Sequence, residues 1–406
     1  MDELFDAIVV GAGPAGLTAA VALASSGCRT AIAGPPFNRD PQRPDTRTTA
    51  LLRASVQFLR NTGVWDLCEG SAAPLQAIRL IDDTGHIITA PEVTFDCREI
   101  GGEPFGYNIA NTALVTALRQ RAEQFGNLSV IETAGVAGLE PDQRQVTLTL
   151  EEGLILRTRL VAGADGRNSV CRAAAGIGTT NWAYPQKALA FNFEHSEAHE
   201  NCSNEFHRPS GPFTTVPLPG RASSLVWVES PGEAERLIGL GEPDLASEME
   251  TRLHGLLGSI RLAGPRAAFP LSGMTVNRFA ARRIALVGEA AHVIPPIGAQ
   301  GLNLGFRDAA ALADCAGSMV QSGEDPGSGR SLRAYDMARR GDVATRTIAV
   351  DLLNRSLISG FVPLRLARGI GLHLLSSIAP LRQLFMNEGL APQRQLPPLM
   401  QRPAAY

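Results

Sequence analysis

An apolar run from Phe5 to Val10 reads as a buried parallel strand, and the glycine-rich turn GAGPAG and the small-residue stretch LTAAVALASS that follow it predict a helix ended at Gly27. A second β-like run, Arg29 to Ala33, precedes the breaker GPPFNRDPQRP and closes a βαβ crossover. Helical spacing returns over Thr48–Leu59 and Asn111–Phe125. Alternation of apolar and polar residues around Ile78–Ile88, Ala188–Phe193, Phe213–Leu218 and Ser224–Val228 predicts antiparallel strands of a separate sheet. Two further strands, Leu154–Ala164 and Arg283–Val287, deliver the loops ADGRNS and GEAAHVIPPIGAQGLNLGFRD. From Arg346 onward the pattern is helical and basic.

Because the nucleotide-type loops lie far apart with alternating segments between them, the reading is α/β: a Rossmann-type domain (1–75, 101–180 and 271–345) interleaved with an antiparallel β-sheet substrate domain (76–100 and 181–270). A C-terminal helical segment (346–406) completes it. The chain has 406 residues, 44% of them hydrophobic, enough for a sizeable core. Its formal net charge of −3 provides no positive field for nucleic acid. The six cysteines show no C-x-x-C pair or metal-ligand spacing, so reduced thiols and no metal site are expected. An acidic start running straight into a strand differs from a secretory signal, and the late apolar run Gly369–Leu381 is shorter than the roughly 18 to 20 residues that span a bilayer. The expected location is cytoplasmic.

Gly11, Gly13 and Gly16, with Pro14 and Ala15 between them, form G-x-G-x-x-G between a strand and a helix. There glycine permits a tight turn and close backbone approach to a pyrophosphate at the helix N-terminus; the alternative is a plain glycine-rich turn. The acid expected about 20 residues on, to hold the ribose hydroxyls, is missing: Ala33-Gly34-Pro35 stands there. Asp165-Gly166, followed by Arg167, Asn168, Ser169 and Arg172, is by itself a common turn. In the third loop a strand ends at Gly288-Glu289, the pair Pro295-Pro296 stiffens the chain, and glycines lead into a helix beginning near Gly301, whose first N–H groups favour an anion.

The blocks GAGPAG, ADGRNSVCR and GEAAHVIPPIGAQGLNLGFRD, in this order and spacing, resemble the single-component (class A) flavin aromatic hydroxylases of the para-hydroxybenzoate hydroxylase fold. The segments DTRTTALLRASVQFLRNTGVW, NIANTALVTAL and DLLNRSL look most like the ubiquinone-biosynthesis hydroxylases among them. The resemblance implies non-covalent FAD, NAD(P)H as a transient co-substrate, and O₂ activated as a flavin C4a-hydroperoxide that hydroxylates a phenolic ring, here a polyprenylated one. It places Gly11, Gly13, Pro14, Ala15 and Gly16 on the pyrophosphate, and Arg47 and Asn111 at the phosphate or ribityl region. Asp165 and Gly166 would lie near the cofactor and NAD(P)H groove. Gly288 and Glu289 would lie at the ribityl chain, Glu289 standing where the family usually has Asp. Pro296 would face the flavin, with Gly298, Gln300, Gly301, Leu302 and Asn303 at the ring's N1/O2 side, and no side chain is assigned as acid or base. His292 reads as a packed histidine, and Arg47 reads equally as a surface ion-pair partner.

Phe191, Phe206, Phe213, Val216, Leu218 and Trp227 are the substrate-lining candidates, though alternating strand residues are equally core. The stretch Leu352–Met386 carries Arg355, Arg365, Arg368 and Arg382 and no acid, a pattern suited to peripheral contact with the inner membrane surface or to a biosynthetic complex; packing within the chain is the other reading. Rival functions are a flavin reductase or dehydrogenase of an isoprenoid, a hydroxylase of a small soluble aromatic, and a non-catalytic FAD-binding scaffold.

Overall fold

A computed structural model describes residues 4–36, 45–85, 91–358, 371, 373–375, 377–387 and 396–403. The first sheet runs β17 (Ala280–Ala281), β18 (Ile284–Leu286), β11 (Ile155–Gly163), β1 (Leu4–Val10), β2 (Thr30–Gly34), β8 (Leu128–Glu132), with β9 (Val136–Pro141) and β10 (Val146–Leu150) branching from β11. The strands from β18 to β8 are parallel, and β1 lies central between β11 and β2. Helix α1 (Pro14–Ser25) is built of small residues and begins with proline, whose missing N–H costs nothing at a helix start. It is buried from Gly16 to Ala24, because the sheet lies on one side and α3 (Asn111–Glu123) and α7 (Gln300–Gln321) on others.

The second sheet runs β19 (His292–Val293), β16 (Ile260–Val276), β12 (Thr179–His195), β15 (Ala222–Glu229), β14 (Gly211–Leu218), β13 (Cys202–Arg208), β5 (Ala77–Asp82), β6 (Val93–Asp96). It is antiparallel except between β13 and β5. Helices α5 (Pro231–Gly239) and α6 (Glu242–Arg252), which the sequence reading did not anticipate, cover one face. The α/β core interleaved with an antiparallel sheet is the architecture expected.

A small third sheet, β3 (Thr48–Leu52), β7 (Gly106–Ala110) and β4 (Ala72–Leu75), lies between the two. It corrects the expected helix over Thr48–Leu59: Thr48–Leu52 pairs antiparallel with Gly106–Ala110, and helix α2 begins only at Arg53 (Arg53–Asn61). Gly106 permits the pairing, since a Cβ there would stand 2.0 Å from the Leu51 carbonyl oxygen. Helix α8 (Gly329–Ile358) runs through the expected boundary at residue 346, and β16 runs through the one at 271. All six cysteines are free, and burial, aided by Asp6, pushes the Cys28 thiol up to about 12.

Register decides which face each strand residue serves. Trp227 pairs with Leu189 and Phe213, and Phe213 with Phe206, so Phe191, Phe206, Phe213 and Trp227 share the face beneath α5 and α6. They are 0–2% exposed, with Phe213 and Trp227 edge-to-face at 5.0 Å. These four expected substrate contacts are core: they point away from the cofactor loops and into a helix-covered cluster. Val216 and Leu218, one pleat out of phase, lie half-buried on the opposite face with Ala190, Val226 and Phe269. That face meets the third sheet, where Asn108 Nδ2 donates to Ser224 Oγ at 3.2 Å and to the Pro217 carbonyl at 2.9 Å. Phe213→Ala should therefore cost about 3–5 kcal/mol in urea unfolding, with cofactor affinity of the folded variant unchanged; loss of cofactor affinity without loss of stability would return Phe213 to the site.

Candidate functional site

The three sequence blocks converge on one point. Strand β1 delivers Gly11 at φ +108°, where a Cβ would sit 2.4 Å from the Ala164 carbonyl oxygen, so the second block forms the wall behind the first. A Cβ on Gly16 would lie 1.8 Å from the Gly11 carbonyl oxygen, which fixes glycine there by close approach of helix to turn. A Cβ on Gly13 would meet nothing within 4 Å. The outer side of the turn is open, and α1 starts there with no side-chain cap on its first N–H groups. The third block closes from the other side, a Cβ on Gly288 falling 2.9 Å from the Ala15 Cβ.

Asp165 does not point into this space. Its Oδ1 accepts from Ser169 Oγ at 2.6 Å and its Oδ2 from the Cys171 N–H at 3.0 Å, so it holds the start of α4 (Val170–Ala174), while Gly166 turns the chain at φ +79°. Arg172 ties the second block to the third by donating to the Ala290 carbonyl at 2.9 Å.

In the third block, Asp308 is the hub. This fully buried carboxylate accepts from the Gly288 N–H at 2.9 Å and from Arg339 Nε at 2.7 Å, and His292 Nε2 lies 2.7 Å from its Oδ2. Burial pushes the Asp308 carboxyl up, but His292, Arg339 and the Gly288 N–H outweigh it and hold it below its usual range. Arg339 continues to Asp342, which also binds Arg307 at 2.6 Å and Arg346 at 3.0 Å, and Arg346 reaches Gln300 Oε1 at 2.9 Å. The buried chain of charges thus runs from the Gly288 turn to the first residue of α7. His292 is packed, as the sequence suggested, with 1% side-chain exposure. The position that sequence reasoning passed over is Asp308; its sign was a charged pair, Arg307-Asp308, between the apolar stretches Leu304–Phe306 and Ala309–Ala313 of one helix.

Between these anchors the loop opens. Pro295 and Ile297 are buried, whereas Pro296, Gly298 and Gly301 are exposed. Ala299 at φ +53° leads into α7, whose start has no side-chain cap, so the N–H groups of Gln300, Gly301 and Leu302 have no helical acceptor, whereas the Asn303 N–H is the first to bond back into the helix, at the Ala299 carbonyl. The Asn303 side chain is occupied elsewhere: Oδ1 accepts from Leu52 N–H at 2.9 Å and Ser55 Oγ at 2.7 Å, and Nδ2 donates to the Ala50 carbonyl at 2.8 Å. It fastens the helix start to β3, and the donors left open are the N–H groups that precede it in the first turn.

Arg47 and Asn111 meet through Asp45. Arg47 donates twice to Asp45 at 2.8 Å, and Asn111 Nδ2 donates to the same carboxylate at 3.2 Å. Burial pushes the Asp45 carboxyl up, yet the Arg47 bonds more than offset this and keep it below its ordinary value. The Glu289 carboxylate adds to the negative field at Arg47 and pairs with Arg167 at 3.1 Å, both side chains being more than half exposed.

The family model described as an FAD binding domain matches residues 5–349. The chain belongs to this FAD-binding family. A ubiquinone hydroxylase, UbiL, of Rhodospirillum rubrum is 34% identical over 394 residues, covering 96% of this chain and 90% of that one. The 3-demethoxyubiquinol 3-hydroxylase of Escherichia coli is 32% identical, covering 90% and 93%. Among solved structures, the p-nitrophenol 4-monooxygenase PnpA of Pseudomonas putida superposes with TM-score 0.77 at 20% identity, covering 97% of this chain and all of that one. Klebsiella pneumoniae HpxO complexed with FAD gives 0.71 at 19%, covering 93% and 97%. The cradle fits FAD: Gly13 leaves room where a pyrophosphate would sit against the start of α1, and the open, uncapped start of α7 leaves room and N–H donors for a flavin edge.

Removing the hub should show in stability first. Asp308→Asn leaves the buried Arg339 with only one of its two carboxylate partners, Asp342, and takes the charge from the point where Gly288, His292 and Arg339 meet, so it is expected to cost up to about 3–5 kcal/mol near neutral pH. Asp308 and Asp342 are both held below the ordinary carboxylate range, so their contribution is complete above that range and is lost as pH falls through the lower folded-state values. The gap in unfolding midpoint between wild type and Asp308→Asn should therefore hold from about pH 7 down to about pH 4 and narrow below it. A pH-independent gap would show that Asp308 acts by packing alone.

Proposed function

We propose that this flavoprotein hydroxylates the aromatic ring of a polyprenylated phenol in ubiquinone biosynthesis, using NAD(P)H and O₂. The observation that carries the reading is the cradle formed together by the Gly11–Gly16 turn, the Gly288 turn and the uncapped start of α7, in a chain similar to two ubiquinone-pathway hydroxylases over nearly its whole length. The substrate would lie against the open face of the second sheet, where Val216, Leu218, Ala190 and Val226 are half-buried and Phe269 is 43% exposed, with Pro296 and the first N–H groups of α7 on the cofactor side. Such a site excludes water and orients an apolar ring without supplying a side-chain acid or base. The similarity to two named ubiquinone-pathway hydroxylases over nearly the whole chain supports the substrate class.

FAD, when bound, supplies the redox and oxygen-activating chemistry that side chains cannot. The Gly11–Gly16 turn would hold its pyrophosphate, Arg47 and Asn111 the adjoining phosphate or ribityl region, and Glu289 a ribityl hydroxyl once its carboxylate turns from Arg167. The first-turn N–H groups of α7 would stabilise negative charge at the ring during reduction. Nicotinamide would visit from the open side of the Asp165–Arg167 loop.

The C-terminal region supports peripheral contact with a membrane carrying the substrate. No helix among the described residues is long and apolar enough to cross a membrane. Leu375 and Met386 pack against Phe95, Cys97 and Phe105, whereas Leu374, Ile378, Leu381 and Leu384, around α9 (Ala379–Phe385), stay 38–58% exposed. Its arginines carry less of the argument than the sequence suggested. Arg355 pairs with Asp351, one residue before the stretch read as acid-free, and Arg382 with Glu99 across the fold, while Arg365 and Arg368 lie outside the described residues. Contact would thus be chiefly apolar.

The purified protein should couple NAD(P)H oxidation to O₂ uptake in the presence of a prenylated phenol, and ¹⁸O from ¹⁸O₂ should appear in the new ring hydroxyl. A reduced, unlabelled product would make it a reductase, and faster turnover of short-chain phenols would remove the prenyl assignment. Ile378→Glu combined with Leu384→Glu should reduce flotation with phosphatidylcholine–phosphatidylglycerol vesicles and leave FAD content unchanged; unaltered flotation would assign this surface to another role.

A further inference from the structure

The acid that dinucleotide folds place at the end of β2 to bind the adenosine ribose is absent, and the structure shows why it cannot stand there. Gly34 ends β2 so close to the glycine turn that a Cβ on it would fall 2.6 Å from the Ala12 nitrogen and 2.9 Å from the Ala12 Cβ. The neighbouring strand brings a carboxylate to the same level. Glu132 ends β8 in parallel register with Gly34, and the Thr133 N–H donates to the Gly34 carbonyl at 3.0 Å, locking the two strand ends together.

Glu132 borders a depression lined by Ala12 and Gly34, floored by Leu17 and Ile32 and flanked by Arg119. Arg119 NH2 donates to Glu132 Oε1, and its Nε donates to Glu123 Oε1 at 3.2 Å, so the guanidinium orients the Glu132 carboxylate from α3. Oε2 of Glu132 accepts no hydrogen bond from the described side chains. The depression opens beside the Gly11–Gly16 turn, on the side that the adenosine half of a dinucleotide must occupy if its pyrophosphate lies against α1. Its apolar floor suits a purine and its carboxylate a ribose diol.

We infer that Glu132, delivered by β8 and oriented by Arg119, accepts from the adenosine-ribose hydroxyls of FAD in place of the missing β2 acid. This assignment rests on the FAD reading of the glycine turn. The test is FAD affinity of flavin-free protein, measured by quenching of flavin fluorescence, alongside the unfolding midpoint of the same apoprotein. Glu132→Gln should weaken FAD binding about 10- to 100-fold, the range for hydrogen bonds to a charged group, with the apoprotein midpoint unchanged. Glu123→Gln, which removes the other carboxylate on Arg119 but does not border the depression, should leave FAD affinity within about twofold. ADP, which carries the adenosine and pyrophosphate without the flavin, should compete with FAD on wild type and lose potency on Glu132→Gln by the same factor. Unchanged FAD affinity in Glu132→Gln overturns the assignment, as does a loss matched by destabilised apoprotein or one that leaves ADP competition intact. If wild-type apoprotein takes up no FAD, the cradle reading itself falls, which the Glu132 comparison alone would not indicate.

Discussion

A single buried carboxylate organises the flavin side of this protein. Asp308 sits inside α7 with no exposure, and its two oxygens are shared by a backbone N–H of the Gly288 turn, an imidazole and a guanidinium. An unpaired carboxylate there would be costly to bury, so the structure is bound to supply all three partners together. Supplying them fixes where the third loop leaves its strand, where α8 lies against α7 and, through Asp342 and Arg346, where Gln300 begins the helix. Backbone donors are useful to a flavin only if they stand still, and this network, with Asn303 holding β3, immobilises them from behind while leaving their front open.

The second constraint is steric. Gly11, Gly16 and Gly288 each stand where a Cβ would collide with backbone or with Ala15, so turn, wall and third loop approach more closely than side chains allow. Gly13 and Gly301, by contrast, would meet nothing. The contrast separates glycines that let the protein pack on itself from glycines that leave space for something else. It also accounts for Gly34, where crowding by Ala12 excludes the usual acid and makes the end of β8 the nearest place for a carboxylate.

On the substrate side, the second sheet is used on both faces, and the pleat divides the work. One face is aromatic and sealed by α5 and α6; the other is half-buried, lined by small and medium apolar residues, and joined to the cofactor loops through Asn108 and through Asn192, whose Nδ2 donates to the Thr46 carbonyl at 2.9 Å. The large residues support the sheet and the smaller ones leave volume over it. The C-terminal helix packs at the β5–β6 edge of that open face, through Leu375 and Met386, and keeps Leu381 and Leu384 exposed.

The sequence by itself determined the parts of this protein that depend on local chemistry. Glycine spacing after a buried strand, the Asp-Gly turn and the proline-stiffened loop before a helix each carry their own backbone geometry, so GAGPAG, ADGRNS and GEAAHVIPPIGAQG were legible as a cofactor cradle, and alternation disclosed the antiparallel strands. Only the tertiary structure decided what depends on partners distant in the chain. Periodicity could show that Phe213 and Val216 differ in facing but not which side α5 and α6 would cover, so four aromatic residues were placed at the substrate when they belong to the core. Thr48–Leu52 has helical spacing, yet pairing with β7 and the reach of Asn303 make it a strand. Asp308 acquires its role from Gly288, His292 and Arg339, and Glu132 from Gly34 and Arg119, groups that meet only once helices and strands are packed. Local geometry is written in neighbouring residues, whereas the face a side chain serves and the charge it answers are set by long-range contacts that no window of sequence contains.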